Sequence, residues 1–127
     1  MNSSSSSTSV LDRLRAFLRR DTGDGRLRSH VSAARAMELV SAGATLVDVR
    51  ERTEWKSGHA PQAVHVPLGE IDKATRRLPA DKPVLTICAS GMRSRSAAKH
   101  LRGLGYDAAS VSGGMAAWQQ VGGAVRR

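Results

Sequence analysis

Cys88 is the chain's one thiol, and it stands where the apolar run 83–87 ends and the polar stretch Ala89-Ser90-Gly91-Met92-Arg93-Ser94 begins. A cysteine used for packing gains most inside an apolar run, where a small neutral thiol is covered on every side. At the end of a strand, ahead of a short loop with a glycine and an arginine, the same residue is a candidate nucleophile. Gly91 permits the dihedrals with which backbone N–H groups of residues 89–94 can converge on the sulfur. Those donors, a helix starting near Arg93 and the Arg93 guanidinium all favour an anion, so one loop can hold a thiolate, a persulfide and an anionic substrate in turn.

The elements that must position this loop are legible as an alternation of strands and helices. Ser32 is placed to cap a helix whose apolar face is Ala33, Ala36, Met37 and Val40, ended by Gly43. Short buried strands are expected at 45–49, around 64–66, at 83–87 and at 108–111. Between them, Leu68, Ile71, Thr75 and Leu78 recur at helical intervals, as do Ala97, Leu101 and Leu104, and a last short helix runs over Met115, Trp118 and Val121. This order predicts an α/β fold in three layers, a mostly parallel sheet with helices on both faces. In open sheets of that kind ligands bind beyond the carboxyl ends of the strands, which is where Cys88 falls.

The chain has 127 residues, enough for one domain and one core. A single cysteine excludes an internal disulfide or a Cys-x-x-Cys pair and suits a reducing, cytoplasmic setting. No apolar run approaches the roughly 18 residues of a membrane span. His30, His65 and His100 show no metal-ligand spacing, and neither metal nor cofactor is expected. The net charge of +9 favours anionic partners, and with four aromatics and no recognisable binding motif a small anion is preferred to nucleic acid. Residues 1–9 read as a Ser-rich disordered tail, 10–20 as a short basic amphipathic helix and 21–28 as a linker, so the domain is expected to occupy 29–127. The basic helix is expected either to pack on its own domain or fray, or to dock a protein acceptor or an anionic surface, and organellar targeting is a further reading of this Ser- and Arg-rich segment that its three aspartates weaken.

Three stretches together resemble the rhodanese family. Residues 46–68, LVDVRERTEWKSGHAPQAVHVPL, are similar to its N-terminal signature of Asp-x-Arg, Glu-Trp, Gly-His and a closing Pro. Residues 88–94, CASGMRS, resemble its active-site loop, and 113–118, GGMAAW, its C-terminal signature. The resemblance covers about 29–122 and implies a five-stranded parallel sheet and a thiosulfate sulfurtransferase-type enzyme. In such an enzyme Cys88 takes a sulfane sulfur from a donor such as thiosulfate, becomes a persulfide, and passes the sulfur to cyanide, a small thiol, a thioredoxin-like protein or another sulfur-accepting protein. It also brings two competitors. Related cell-cycle phosphatases carry Cys-x5-Arg, and the shorter Cys-x4-Arg loop from Cys88 to Arg93 argues against phosphatase or arsenate reductase chemistry. Non-catalytic rhodanese-like modules commonly lack the cysteine, which this chain keeps.

Many members of that family have a basic residue after the cysteine, where this chain has Ala89. Arg93, with Arg95 beyond it, is left to serve an anionic donor. Asp48 is expected to orient the loops, Arg50 to lie near the pocket mouth, His59 to be a hydrogen-bonded structural histidine rather than a general base, and Trp55 to belong to the core. Persulfide exchange needs little proton shuttling once the nucleophile is a thiolate.

Overall fold

The computed structural model of the protein describes Leu14 and residues 26–127. In chain order the elements are β1 (His30–Val31), α1 (Ala33–Ser41), β2 (Thr45–Asp48), α2 (Arg52–Ser57), β3 (Val64–His65), a 3-10 helix (Leu68–Arg76), β4 (Val84–Ile87), α3 (Met92–Gly103), β5 (Ala108–Val111) and α4 (Gly114–Gln120). The five strands form one sheet in the order β1-β5-β4-β2-β3, and every neighbouring pair is parallel. From β2 the chain continues outward to β3, whereas from β4 it continues to β5 on the other side. The carboxyl ends of β2 and β4 therefore flank the point where the connections diverge, the place where such sheets open a crevice.

Strand residues alternate between two cores. Leu46, Leu85, Ile87, Ala109 and Val111 pack with Ala33, Ala36 and Leu39 of α1 and with Met115 and Trp118 of α4. Val47, Val84, Cys88 and Ala108 face the opposite way, against Ala97, Ala98 and Leu101 of α3 and Ile71 and Ala74 of the 3-10 helix. Both faces are covered, which is why the strands read as continuous apolar runs.

Ser32 caps α1, its Oγ accepting from the Arg35 N–H at 3.1 Å. The segment after β3 is a 3-10 helix, so its buried positions recur every three residues, at Ile71 and Ala74, and Thr75 is exposed, contrary to the α-helical spacing expected. Leu104 and Val121, expected on buried helix faces, lie just past the ends of α3 and α4 and are exposed. Leu14 is helical, only 2 % exposed, and joins the core with α1 and α4, while the Leu27 N–H donates to the Asp107 carboxylate at 3.0 Å. The Ser-rich tail and the rest of the basic helix lie outside the described residues. Among the described residues no helix is long and apolar enough to cross a membrane.

Candidate active site

Cys88 follows the central strand β4 and is 1 % exposed, on the sheet face that α3 covers. Gly91, at φ +116° and ψ −16°, caps α3 and turns the loop back over the sulfur. The Gly91 N–H reaches Sγ at 3.0 Å and the Ser94 N–H at 3.3 Å, while the Ser94 hydroxyl stands 3.5 Å away. The sulfur is thus received by the first turn of a 12-residue helix, where unpaired N–H groups and the helix dipole favour an anion. Burial by itself pushes the thiol up; the Ser94 hydroxyl and the N–H groups of Ser94, Gly91 and Ser90 outweigh it, leaving Cys88 below its ordinary range.

Ser94 is held from beneath by two sheet hydroxyls that the sequence reading passed over. Thr86 and Ser110 are register partners on β4 and β5, both buried on the Cys88 face. The Thr86 hydroxyl donates to the Ser94 carbonyl at 2.7 Å, and the Ser110 and Ser94 hydroxyls share a hydrogen bond of 2.7 Å. With Ser110 donating, the Ser94 proton is directed to the sulfur or to the Gly91 carbonyl, 3.1 Å away. The available signal was a pair of polar residues at inward positions of otherwise apolar strands. Ser94→Ala should therefore move the acid limb of persulfide formation to higher pH. Protonation removes the nucleophile, so a less stabilised thiolate is lost sooner as pH falls, and one lost hydrogen bond to a charged group costs about tenfold in rate on that limb. Stopped-flow rates against pH, with the thiolate followed by its ultraviolet absorbance, check the direction.

The back of the loop rests on α4. The Cys88 and Ala89 carbonyls accept from the N–H groups of Met115 and Ala116 at 2.8 and 3.4 Å. This approach requires a residue without a side chain at Gly114: a Cβ there would stand 2.3 Å from the Cys88 oxygen, at φ +57°. Gly114 of the 113–118 motif is thus the seat for the loop. Ala89 is half-buried, Ser90 is exposed, and Met92 is 77 % exposed at the rim.

Arg93 is engaged across the crevice. Its two terminal nitrogens meet the Glu54 carboxylate of α2 at 2.6 and 2.8 Å. Hydrogen bonding from Arg93, against the opposing effect of burial and aided by the Glu51 N–H, lowers Glu54 to about 2, and the same bond raises Arg93, with Cys88 a weaker contributor. The groups hydrogen-bonded to the sulfur are backbone N–H donors and Ser94, and Arg93 attracts it more weakly from its place beside Glu54. Glu54 also accepts from the Glu51 N–H at 3.0 Å in a capping box, which fixes its position at the start of α2. Arg95 lies exposed on α3.

Asp48 is buried and bound by Arg50 through Nε and Nη2 at 2.7 to 3.1 Å, with the Arg50 N–H at 3.0 Å. Arg50 also donates to the Gly58 carbonyl at 2.7 Å. Arg50 is a buried brace tying the end of β2 to the end of α2, ion-paired with Asp48 and near enough to Glu54 to help lower it. His59 donates from Nδ1 to the Trp55 carbonyl at 2.7 Å, a structural bond. Trp55 is half-buried rather than core, stacked between His59 and His65 with ring centroids 3.5 and 4.7 Å away. Among the described residues no group of His, Cys, Asp and Glu side chains could hold a metal ion.

A parallel sheet covered on both faces, with a thiolate cradle after its central strand and a braced Asp-x-Arg turn beside it, defines a class of small α/β sulfur-handling domains. The chain belongs to the rhodanese-like domain family, whose model matches residues 32–121. It is 41 % identical over 91 residues to "Putative sulfurtransferase YtwF" of Bacillus subtilis (strain 168), covering 70 % of this chain and 88 % of that one. It is 40 % identical over 85 residues to the thiosulfate sulfurtransferase GlpE of Pseudomonas syringae pv. syringae (strain B728a), covering 66 % and 80 %. The crystal structure of a rhodanese-related protein from Thermoplasma volcanium superposes with a TM-score of 0.71 at 31 % identity, over 78 % of this chain and 98 % of that one.

Proposed function

We propose that the protein is a sulfurtransferase that moves a sulfane sulfur from a small anionic donor of the thiosulfate type, through a persulfide on Cys88, to an external thiophilic acceptor. The observation that carries this reading is the Cys88 sulfur held by the Gly91 and Ser94 N–H groups at the start of α3, an arrangement suited to a thiolate and equally to a persulfide anion. The thiolate attacks the sulfane sulfur of the donor, the donor's S–S bond breaks, and its electron pair leaves with sulfite. The acceptor then attacks the outer persulfide sulfur and Cys88 leaves as thiolate. Ala89, Ser90, Gly91, Met92, Arg93 and Ser94 form the donor-binding loop, and Asp48, Arg50, His59 and Arg95 are its supporting residues. The unit bearing the site is residues 29–127, with Leu14 and Leu27 of the preceding segment packed against its core.

No second cysteine exists in the chain to resolve the persulfide. Each turnover must therefore end on an external acceptor. Intact-protein mass spectrometry tests the reading: thiosulfate should add one sulfur, and cyanide should remove it as thiocyanate. Without acceptor, release should stop at about one sulfite per chain. A chain that gains no sulfur is a binding module instead.

A further inference from the structure

The loop 88–94 contains one cation, Arg93, and Ala89 supplies none. The nearby Arg50 is consumed by Asp48 and the Gly58 carbonyl. Arg93 in turn is held at two points by Glu54, each side chain about one-third exposed, and Glu54 is fixed by its capping bond to the Glu51 N–H. The Glu51 carboxylate adds a further attraction on the same guanidinium. Among the described residues the groups hydrogen-bonded to the sulfur form a cradle of neutral N–H and hydroxyl groups, and Arg93, held beside Glu54, adds a weaker attraction. Attack by a thiolate on thiosulfate brings three negative charges into that cradle, whereas a neutral hydropersulfide brings one.

Resting on the sulfurtransferase reading, we propose that Glu54 is a specificity-determining residue: by sharing Arg93 it weakens the hold of the donor-binding loop on dianionic donors such as thiosulfate and so favours, relative to them, sulfane donors carrying one negative charge or none. A hydropersulfide on a thiol carrier is of that class. The Cys88 thiolate attacks its terminal sulfur, the S–S bond breaks, and the carrier leaves as thiolate with the electron pair, the hydrogen staying on the transferred sulfur.

The test compares two donors of the same chemistry and different charge, thiosulfate (two negative charges) and methanethiosulfonate (one), which release sulfite and methanesulfinate respectively. Glu54→Gln keeps the capping bond and frees Arg93. Its kcat/KM for thiosulfate should rise about tenfold, through KM, because a freed charge-assisted hydrogen bond is worth at least that much. The Coulomb energy scales with donor charge, so methanethiosulfonate should gain only the square root of that factor, about threefold. In Glu54→Gln/Arg93→Gln, which leaves no charge unpaired, the ratio of the two kcat/KM values should stay within about twofold of wild type. This variant decides the matter even if Glu54→Gln alone folds poorly, as circular dichroism would show. An equal change for both donors in Glu54→Gln, or a thiosulfate-selective tenfold loss in the double variant, would overturn the role of Glu54 while leaving the sulfurtransferase reading intact. Failure of the wild type to form a persulfide from either donor would overturn both.

Discussion

Replacing Cys88 by Ser is expected to abolish cyanide-dependent thiocyanate formation, to less than about one part in a thousand of wild type, with the circular dichroism spectrum unchanged. An alkoxide is not available near neutral pH and oxygen forms no stable analogue of the persulfide, so the substitution removes the chemistry and not merely a preference. The fold should tolerate it because the hydroxyl takes nearly the volume of the thiol and still meets the Gly91 and Ser94 N–H groups that surround Sγ. Comparable turnover in the two proteins would place sulfur transfer elsewhere.

The second large effect is expected at a residue that never touches the donor. Gly114→Ala places a Cβ 2.3 Å from the Cys88 oxygen and 2.6 Å from the Ala89 oxygen, both backbone atoms, at a φ of +57° that favours glycine. The loop must lift from α4, breaking the bonds from the Met115 and Ala116 N–H groups. Strained dihedrals of about 1–2 kcal/mol and a steric term of about 1–3 kcal/mol combine to lower Tm by about 10 °C or more. Because the displaced segment carries the sulfur, residual activity at a temperature where the variant is folded should fall at least about tenfold. Thermal melts followed by circular dichroism, with thiocyanate assays well below the transition, separate the two losses. Unchanged melting and activity would show that the loop does not depend on its seat.

The Cys88 and Gly114 experiments probe different levels of information. The nucleophile was readable along the chain because its evidence is local: a thiol at the end of an apolar run, a glycine three residues on and a helix behind it are all consecutive. The strand–helix alternation was readable for the same reason, since periodicity within each segment records which faces are covered. The 3-10 helix escaped because Leu68, Ile71, Thr75 and Leu78 satisfy a helical spacing, and only burial distinguishes a repeat of three at Ile71 and Ala74.

What tertiary structure decided is the use of each charge and hydroxyl. In the sequence Arg93 is a cation beside a nucleophile, and nothing local says that Glu54, 39 residues earlier, will take it. The divergence of the connections after β2 and β4 brings α2 and α3 together across the crevice, where the Glu54 carboxylate meets the guanidinium at 2.6 and 2.8 Å. In the sequence Arg50 is likewise a cation near the pocket, and the fold buries it against Asp48 on the same turn. Thr86 and Ser110 became part of the site because parallel register sets them side by side beneath Ser94. Local pattern records where a side chain faces; which partner it meets depends on chain segments whose separation no periodicity encodes.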